Sequence, residues 1–220
     1  MLSNEKIYVV LCTLFAVIVI LGNLIYQKFV ILQIPFIPPF ELSAGALLYP
    51  FSFFLTDLIA EFYGKDKATF CVRCSIGASI FVAFLILFMD YLPATSWSIM
   101  NSETFHNTFG VFSTIFIVSM IACYISQTID IPLYLAIKKL TKGKYLWARN
   151  NGSTAISLLI DTTIFLVLAI WCGLIPQDQL WPLLRNSYSW KLFFVISSTP
   201  FFYAAVRLIR WLGNIQSNHP

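Results

Sequence analysis

Six stretches of mainly apolar residues, near Ile7–Tyr26, Ser43–Phe62, Ala68–Met89, Phe109–Leu135, Thr154–Ile175 and Trp190–Ile209, fix what this chain can become. A hydrocarbon core is crossed by about 20 helical residues, and within it each backbone N–H and C=O must be satisfied inside the segment. The expected fold is therefore all-α: one polytopic domain over residues 1–220, with six transmembrane helices. Charged residues make up 11% of the chain and the mean hydropathy is +0.80. Soluble domains carry about 25% charged residues, so little is left over for one here. Lys6 ahead of the first run has the look of a secretory signal. The run is too long for one, and Gly22–Tyr26 offers no small-x-small cleavage site, so helix one is expected to persist.

The basic residues orient this bundle. Lys6, Lys65, Lys67, Arg73, Lys138, Lys139, Lys142, Lys144, Arg149, Arg207 and Arg210 fall on one side, and Lys28, Arg185 and Lys191 on the other. Cytoplasmic loops collect Lys and Arg, so both termini are expected inside. The formal net charge of +4 then belongs to cytoplasmic loops and implies no nucleic-acid partner. Cys12, Cys71, Cys74, Cys123 and Cys172 all lie within apolar runs. Cys71 and Cys74 have CxxC spacing but no second ligand pair, and all five read as small buried hydrophobes. No cofactor or metal is expected.

Acidic groups inside apolar runs demand an explanation, because each costs roughly 2.5–3.5 kcal/mol at the centre of a membrane helix. Asp57 and Glu61, four apart, share a helix face with Tyr49 and Phe53 above them. In the fourth run Gln127, Asp130 and Tyr134 share a face beside Pro132. In the fifth, Asn150, Thr154 and Asp161 do so, behind the N-cap candidates of Arg149–Thr154. Asp57 lies eight residues before Lys65, and Asp130 eight before Lys138, which at 1.5 Å per residue is about 12 Å. Asp161 lies twelve beyond Arg149, or about 18 Å. The three aspartates are thus expected near one depth, in a central acidic site, with Glu61 one turn nearer the cytoplasm where it gates the exit or pairs with Arg73. Such a site reads as a transport pathway, with movement near Pro50, Pro132 and Pro200.

The outer connections carry less information. Pro35, Pro38 and Pro39 suggest an extended or re-entrant segment, and Asp90–Thr108 and Gly173–Ser189 read as interfacial loops. An intramembrane protease is not expected, since neither a Gly-x-Gly-Asp nor a His-Glu-x-x-His motif occurs. His106 and His219 lie in an outer loop and the tail, away from the core.

Two segments carry a resemblance. TDLIAEFYGKDKA at Thr56–Ala68 and SQTIDIPLYLAIKKLTKGKYLWARNNGSTAISLLIDTTIF at Ser126–Phe165 resemble the queuosine precursor transporter family, earlier described as vitamin uptake transporters. Where members often carry Asn or Gln, this chain has Leu158. The resemblance implies inner-membrane uptake of a 7-deazaguanine (preQ0, preQ1 or queuine) for tRNA modification, and a small purine-like base as partner. A carboxylate accepts two hydrogen bonds from a guanine-like edge, and such charged bonds are about twice as strong as neutral ones. Asp57, Glu61, Asp130 and Asp161 are the candidate acceptors. Gln127 and Asn150 are candidates for the carbonyl edge, and Tyr49, Phe53 and Tyr134 for stacking. The competing reading is the substrate-binding subunit of an energy-coupling-factor importer. Against it, helix one lacks the Ala-x-x-x-Ala-type docking patch of those subunits.

Overall fold

A computed structural model of the chain describes residues 4–26, 28–33, 40–110 and 112–213. In order these form α1 (Asn4–Leu24), β1 (Phe29–Leu32), β2 (Phe40–Ser43), α2 (Ala44–Tyr91), the short α3 (Ser102–Phe105), α4 (Phe112–Leu140), α5 (Leu146–Trp171) and α6 (Leu180–Gly213). A π-helical turn, His106–Gly110, follows α3. Among the described residues, five helices are long and apolar enough to cross a membrane, so the chain is a multi-pass, helical membrane protein.

The second and third apolar runs, expected as separate helices, join within α2. Its 48 residues are broken at Gly64, where φ is +80° and ψ −179°, a backbone region open essentially only to glycine. Side-chain contacts show that the chain reverses there. Tyr63 donates to the Asn4 carbonyl at 2.8 Å and Tyr8 to the Lys67 carbonyl at 2.9 Å, so both sides of the break touch the start of α1. Gly45, at the other end of the first half, meets Gly22 near the end of α1, so that half runs antiparallel to α1. The second half returns alongside it, with Cys71 in the core cluster against Cys12.

The packing follows from the sequence. Ile7, Leu11, Phe15 and Val19 recur every fourth residue and bury one face of α1. That face meets Leu58, Ile59 and Phe62 from the first half of α2 and Ala68 and Val72 from the second. At Gly45 an added Cβ would collide with the Gly22 carbonyl, so two glycines let these backbones cross closely. The outer face of the second half, with Phe70, Ile80, Phe81, Phe84 and Phe88 exposed, suits a lipid surface. Ser43 caps α2 by accepting from the Ala46 N–H at 3.2 Å.

Several boundaries differ from the sequence expectation. β1 and β2 form a two-stranded antiparallel hairpin, with Phe29 opposite Ser43, in an otherwise helical chain. Pro35, Pro38 and Pro39 lie outside the described residues, as does His219. α5 begins at Leu146 with no side-chain cap, so Arg149–Ser153 lie inside the helix and do not open it. α6 begins at Leu180, which makes much of the expected outer loop Gly173–Ser189 helical. Of the cysteines, Cys71 and Cys123 are buried, but Cys74 and Cys172 are exposed. Arg73 is exposed too and does not reach Glu61.

Candidate functional site: a buried polar column

The acidic residues do not all meet at one point. They are strung along the first half of α2 in three levels, from Tyr49 near the hairpin to Glu61 near Gly64, about 18 Å of helix.

At the hairpin end, Asp161 of α5 is tightly partnered. Its carboxylate accepts from Lys191 Nζ of α6 at 3.0 Å, Tyr49 OH at 2.7 Å and Ser126 Oγ of α4 at 3.3 Å. Lys191 also donates to Thr162 Oγ1 at 2.8 Å and stands 4.8 Å over the Tyr49 ring. Tyr49, Asp161, Thr162 and Lys191 line a cavity of about 60 Å³ bordered by Asn23, Tyr26 and Phe165. Asn23 lines it while donating to its own helix at Val19 O, 2.9 Å. Phe53 packs edge-on to Tyr49 at 5.8 Å and against Leu158 and Val195, so Leu158 serves an apolar contact here.

One level down, Asp57 and Asp130 face each other from α2 and α4. Thr154 of α5 donates to Asp57 Oδ2 at 3.0 Å. Ser153 and Ser157 flank Asp130 from α5. Thr56 donates to Gln127 Oε1 at 3.0 Å. Every one of these side chains is buried. Even so, Asp57 Oδ1, both oxygens of Asp130, Gln127 Nε2 and Ser157 Oγ make no hydrogen bond of good geometry. Buried polar atoms without partners are rare in native proteins, since each costs about 1–3 kcal/mol. Here they converge on one spot and are mostly acceptors.

At the Gly64 end, Glu61 is completely buried and clasped by two cations. Arg149 Nη2 reaches Oε1 at 2.8 Å and Lys138 Nζ reaches Oε2 at 3.2 Å. Tyr134 OH donates to Oε2 at 3.1 Å, and Arg149 Nε donates in turn to Tyr134 OH at 3.3 Å. Lys138 also bonds the Glu61 carbonyl at 3.3 Å. This network ties α2, α4 and α5 together and fills the space below Asp57. Asn150 is buried but donates at 3.0 Å to Asn151, which pairs with Thr199 of α6, so it joins the α5–α6 contact.

Among the residues singled out from sequence, the structure thus brings Asp57, Asp130 and Gln127 together. It sets Asp161 with Tyr49 above them and Glu61 with Tyr134 below. Three partners were not legible as such. Lys138 and Arg149 read as loop charges marking topology, and Lys191 as an outer-side charge. The clue was position: Lys138 and Lys191 adjoin apolar runs, where a long cationic side chain can turn inward toward an acid.

Residues 43–205 match the family described as "Putative vitamin uptake transporter". A "Probable queuosine precursor transporter" of Bacillus subtilis (strain 168) is 31% identical over 169 residues, covering 76% of this chain and 72% of that protein. A "Queuosine precursor transporter" of Escherichia coli (strain K12) is 24% identical over 132 residues, covering 60% of this chain and 57% of that one. No solved structure matches. With the family model matching residues 43–205 and the Bacillus subtilis transporter 31% identical over 76% of the chain, the chain belongs to the vitamin uptake transporter family, whose relatives here are named queuosine precursor transporters.

Proposed function

We propose that the protein is a secondary transporter that imports a 7-deazaguanine queuosine precursor, preQ0, preQ1 or queuine, across the bacterial inner membrane. Six crossings with both termini inside fit the alternating helix directions, α2 contributing two. The observation that carries the reading is the facing pair of buried carboxylates, Asp57 and Asp130, whose oxygens are left short of well-formed hydrogen bonds at the level where Gln127 holds Thr56. The ring N–H and exocyclic amine of a guanine-like edge supply donors to the carboxylates, and its carbonyl accepts from Gln127. Bonds to a charged acceptor are the stronger kind, which suits a site that must strip water from a polar base.

Access follows from the two ends of the column. The cavity edged by Tyr49 and Asp161 lies on the hairpin side of Asp57, and entry from it would pass the aromatic faces of Tyr49 and Phe53. On the cytoplasmic side the Glu61 network closes the path, and Tyr134 and Asn150 border the exit. Transport then alternates between this arrangement and one in which Glu61 releases Arg149 and Lys138 while the hairpin end closes.

The test is uptake of each base, across pH, in cells that lack other uptake routes and coupling-factor components. Asp57→Asn and Asp130→Asn, inserted at normal levels, are expected to lower uptake at least about tenfold. Losing one charged hydrogen bond, worth about 1.5–3 kcal/mol, requires that much. Wild-type uptake by both variants rules out the acidic site, and no uptake of any base by the unaltered protein rules out the substrate.

A further inference from the structure

A second cavity lies where α6 ends beside the α4–α5 turn. It has a volume of about 690 Å³ and is lined by Gly143, Arg149, Tyr203, Arg207 and Arg210, among others, with no carboxylate among the described residues of its wall. Arg207 and Arg210, three apart, share one face of the last turns of α6, and both are exposed. Arg149 forms the floor. Its guanidinium reaches Glu61 with Nη2 and the Gly143 carbonyl with Nη1 at 3.1 Å, which leaves two of its five N–H groups uncommitted by those contacts and its Tyr134 bond. Glu61 is also countered by Lys138, so Arg149 is not needed as its only counter-charge.

The height of this cavity on the molecule is given by a separate feature. Tyr145, Trp147, Tyr203 and Trp211 are exposed around it, Trp211 by 73%. Trp147 N–H donates to Tyr203 OH at 3.3 Å across the α5–α6 seam. Exposed Trp and Tyr gather at the headgroup level of a bilayer, where an apolar ring and a polar edge are both satisfied. A cationic hollow at that level, on the side rich in Lys and Arg, meets the anionic headgroups of the inner leaflet.

We propose that this cavity is a binding site for a phosphate group, held by Arg207, Arg210 and the floor of Arg149, and supplied by an anionic phospholipid headgroup or by free phosphate. The planar fork of arginine matches phosphate oxygens two at a time, and three such residues around one hollow suit an anion better than the neutral or cationic base expected in the transport path. The site shares Arg149 with the Glu61 network, while Arg207 and Arg210 take no part in that network, and it does not depend on the identity of the transported molecule.

The test uses the full-length purified protein in detergent, titrated with phosphatidylglycerol, phosphatidylcholine or inorganic phosphate, with native mass spectrometry and thermal unfolding as readouts. Phosphatidylglycerol is expected to remain bound and raise the unfolding midpoint where phosphatidylcholine does not. Arg207→Gln with Arg210→Gln is expected to weaken that binding at least about tenfold, and Arg207→Lys with Arg210→Lys to restore it only partly. Competition by millimolar inorganic phosphate, lost in the same Gln variant, assigns the site to free phosphate. No competition by phosphate, with lipid binding lost in the variant, assigns it to the lipid. If the Gln variant, folded as judged by an unchanged midpoint in phosphatidylcholine, binds both anions as the unaltered protein does, or if the unaltered protein binds neither, the proposal is wrong.

Discussion

The Glu61 network makes a quantitative prediction, because one fully buried carboxylate there serves two cations and a tyrosine. Glu61→Gln keeps the shape and one carbonyl acceptor but leaves Arg149 and Lys138 buried with no counter-charge. Breaking a buried pair from one side costs about 3–5 kcal/mol, so the variant is expected to lose that much stability. Arg149→Gln leaves Lys138 to balance Glu61 and is expected to cost less, about 2–3 kcal/mol, from the lost charged hydrogen bonds. In the double variant only Lys138 remains unbalanced. The losses should therefore fall short of the sum by roughly 1–3 kcal/mol, as expected for residues in one network. Reversible unfolding of the purified protein, followed by a probe on α4, gives all four corners of the cycle. Losses that add to within about 0.5 kcal/mol mean that Glu61 and Arg149 do not act together, and the latch proposed at the Gly64 end falls with them.

Further outcomes follow from other contacts. Lys191→Met strands Asp161 without its cation and is expected to destabilise the protein by about 3–5 kcal/mol, with much of the loss recovered by adding Asp161→Asn; thermal unfolding of the two variants checks it. A double variant no more stable than Lys191→Met shows that the ion pair is not what Lys191 contributes. Gly64→Ala is expected to cost about 1–3 kcal/mol by the same assay. An added Cβ there meets open space within 4 Å, so the cost comes from the backbone alone, and a D-alanine placed by semisynthesis is expected to be tolerated.

Much of this was visible in the chain itself, for definite reasons. Apolar runs and the periodicity of Ile7, Leu11, Phe15 and Val19 report local geometry, and local geometry follows from spacing. The shared faces of Asp57 with Glu61 and of Gln127 with Asp130 and Tyr134 are visible for the same reason. Partnerships between helices are not. Glu61 and Arg149 are 88 residues apart and Tyr49 and Asp161 are 112 apart, and nothing in either segment says which of several acids a given cation will meet. Depth counting put Asp161 level with Asp57 and Asp130 because it took Arg149 as lying at the surface. Arg149 is instead buried inside α5, where it binds Glu61, so the baseline itself was raised and Asp161 sits higher beside Lys191. The N-cap expected at Arg149–Thr154 failed for the same cause: tertiary partners satisfy those polar side chains, which frees α5 to start earlier.

The reversal at Gly64 bears on how the protein enters its membrane. The first half of α2 carries Asp57 and Glu61, each costly to a lone helix in transit through the insertion machinery. The second half is strongly apolar, and its phenylalanines face outward. With a single glycine as the turn, no linker exists on which synthesis could pause with one half inserted and the other waiting. In the six-crossing arrangement proposed above, the two partition as one helical hairpin, the greasy arm drawing in the acidic one. Lengthening that turn with a flexible insert would uncouple the arms and leave the acidic half to enter alone, a failure of biogenesis and not of transport.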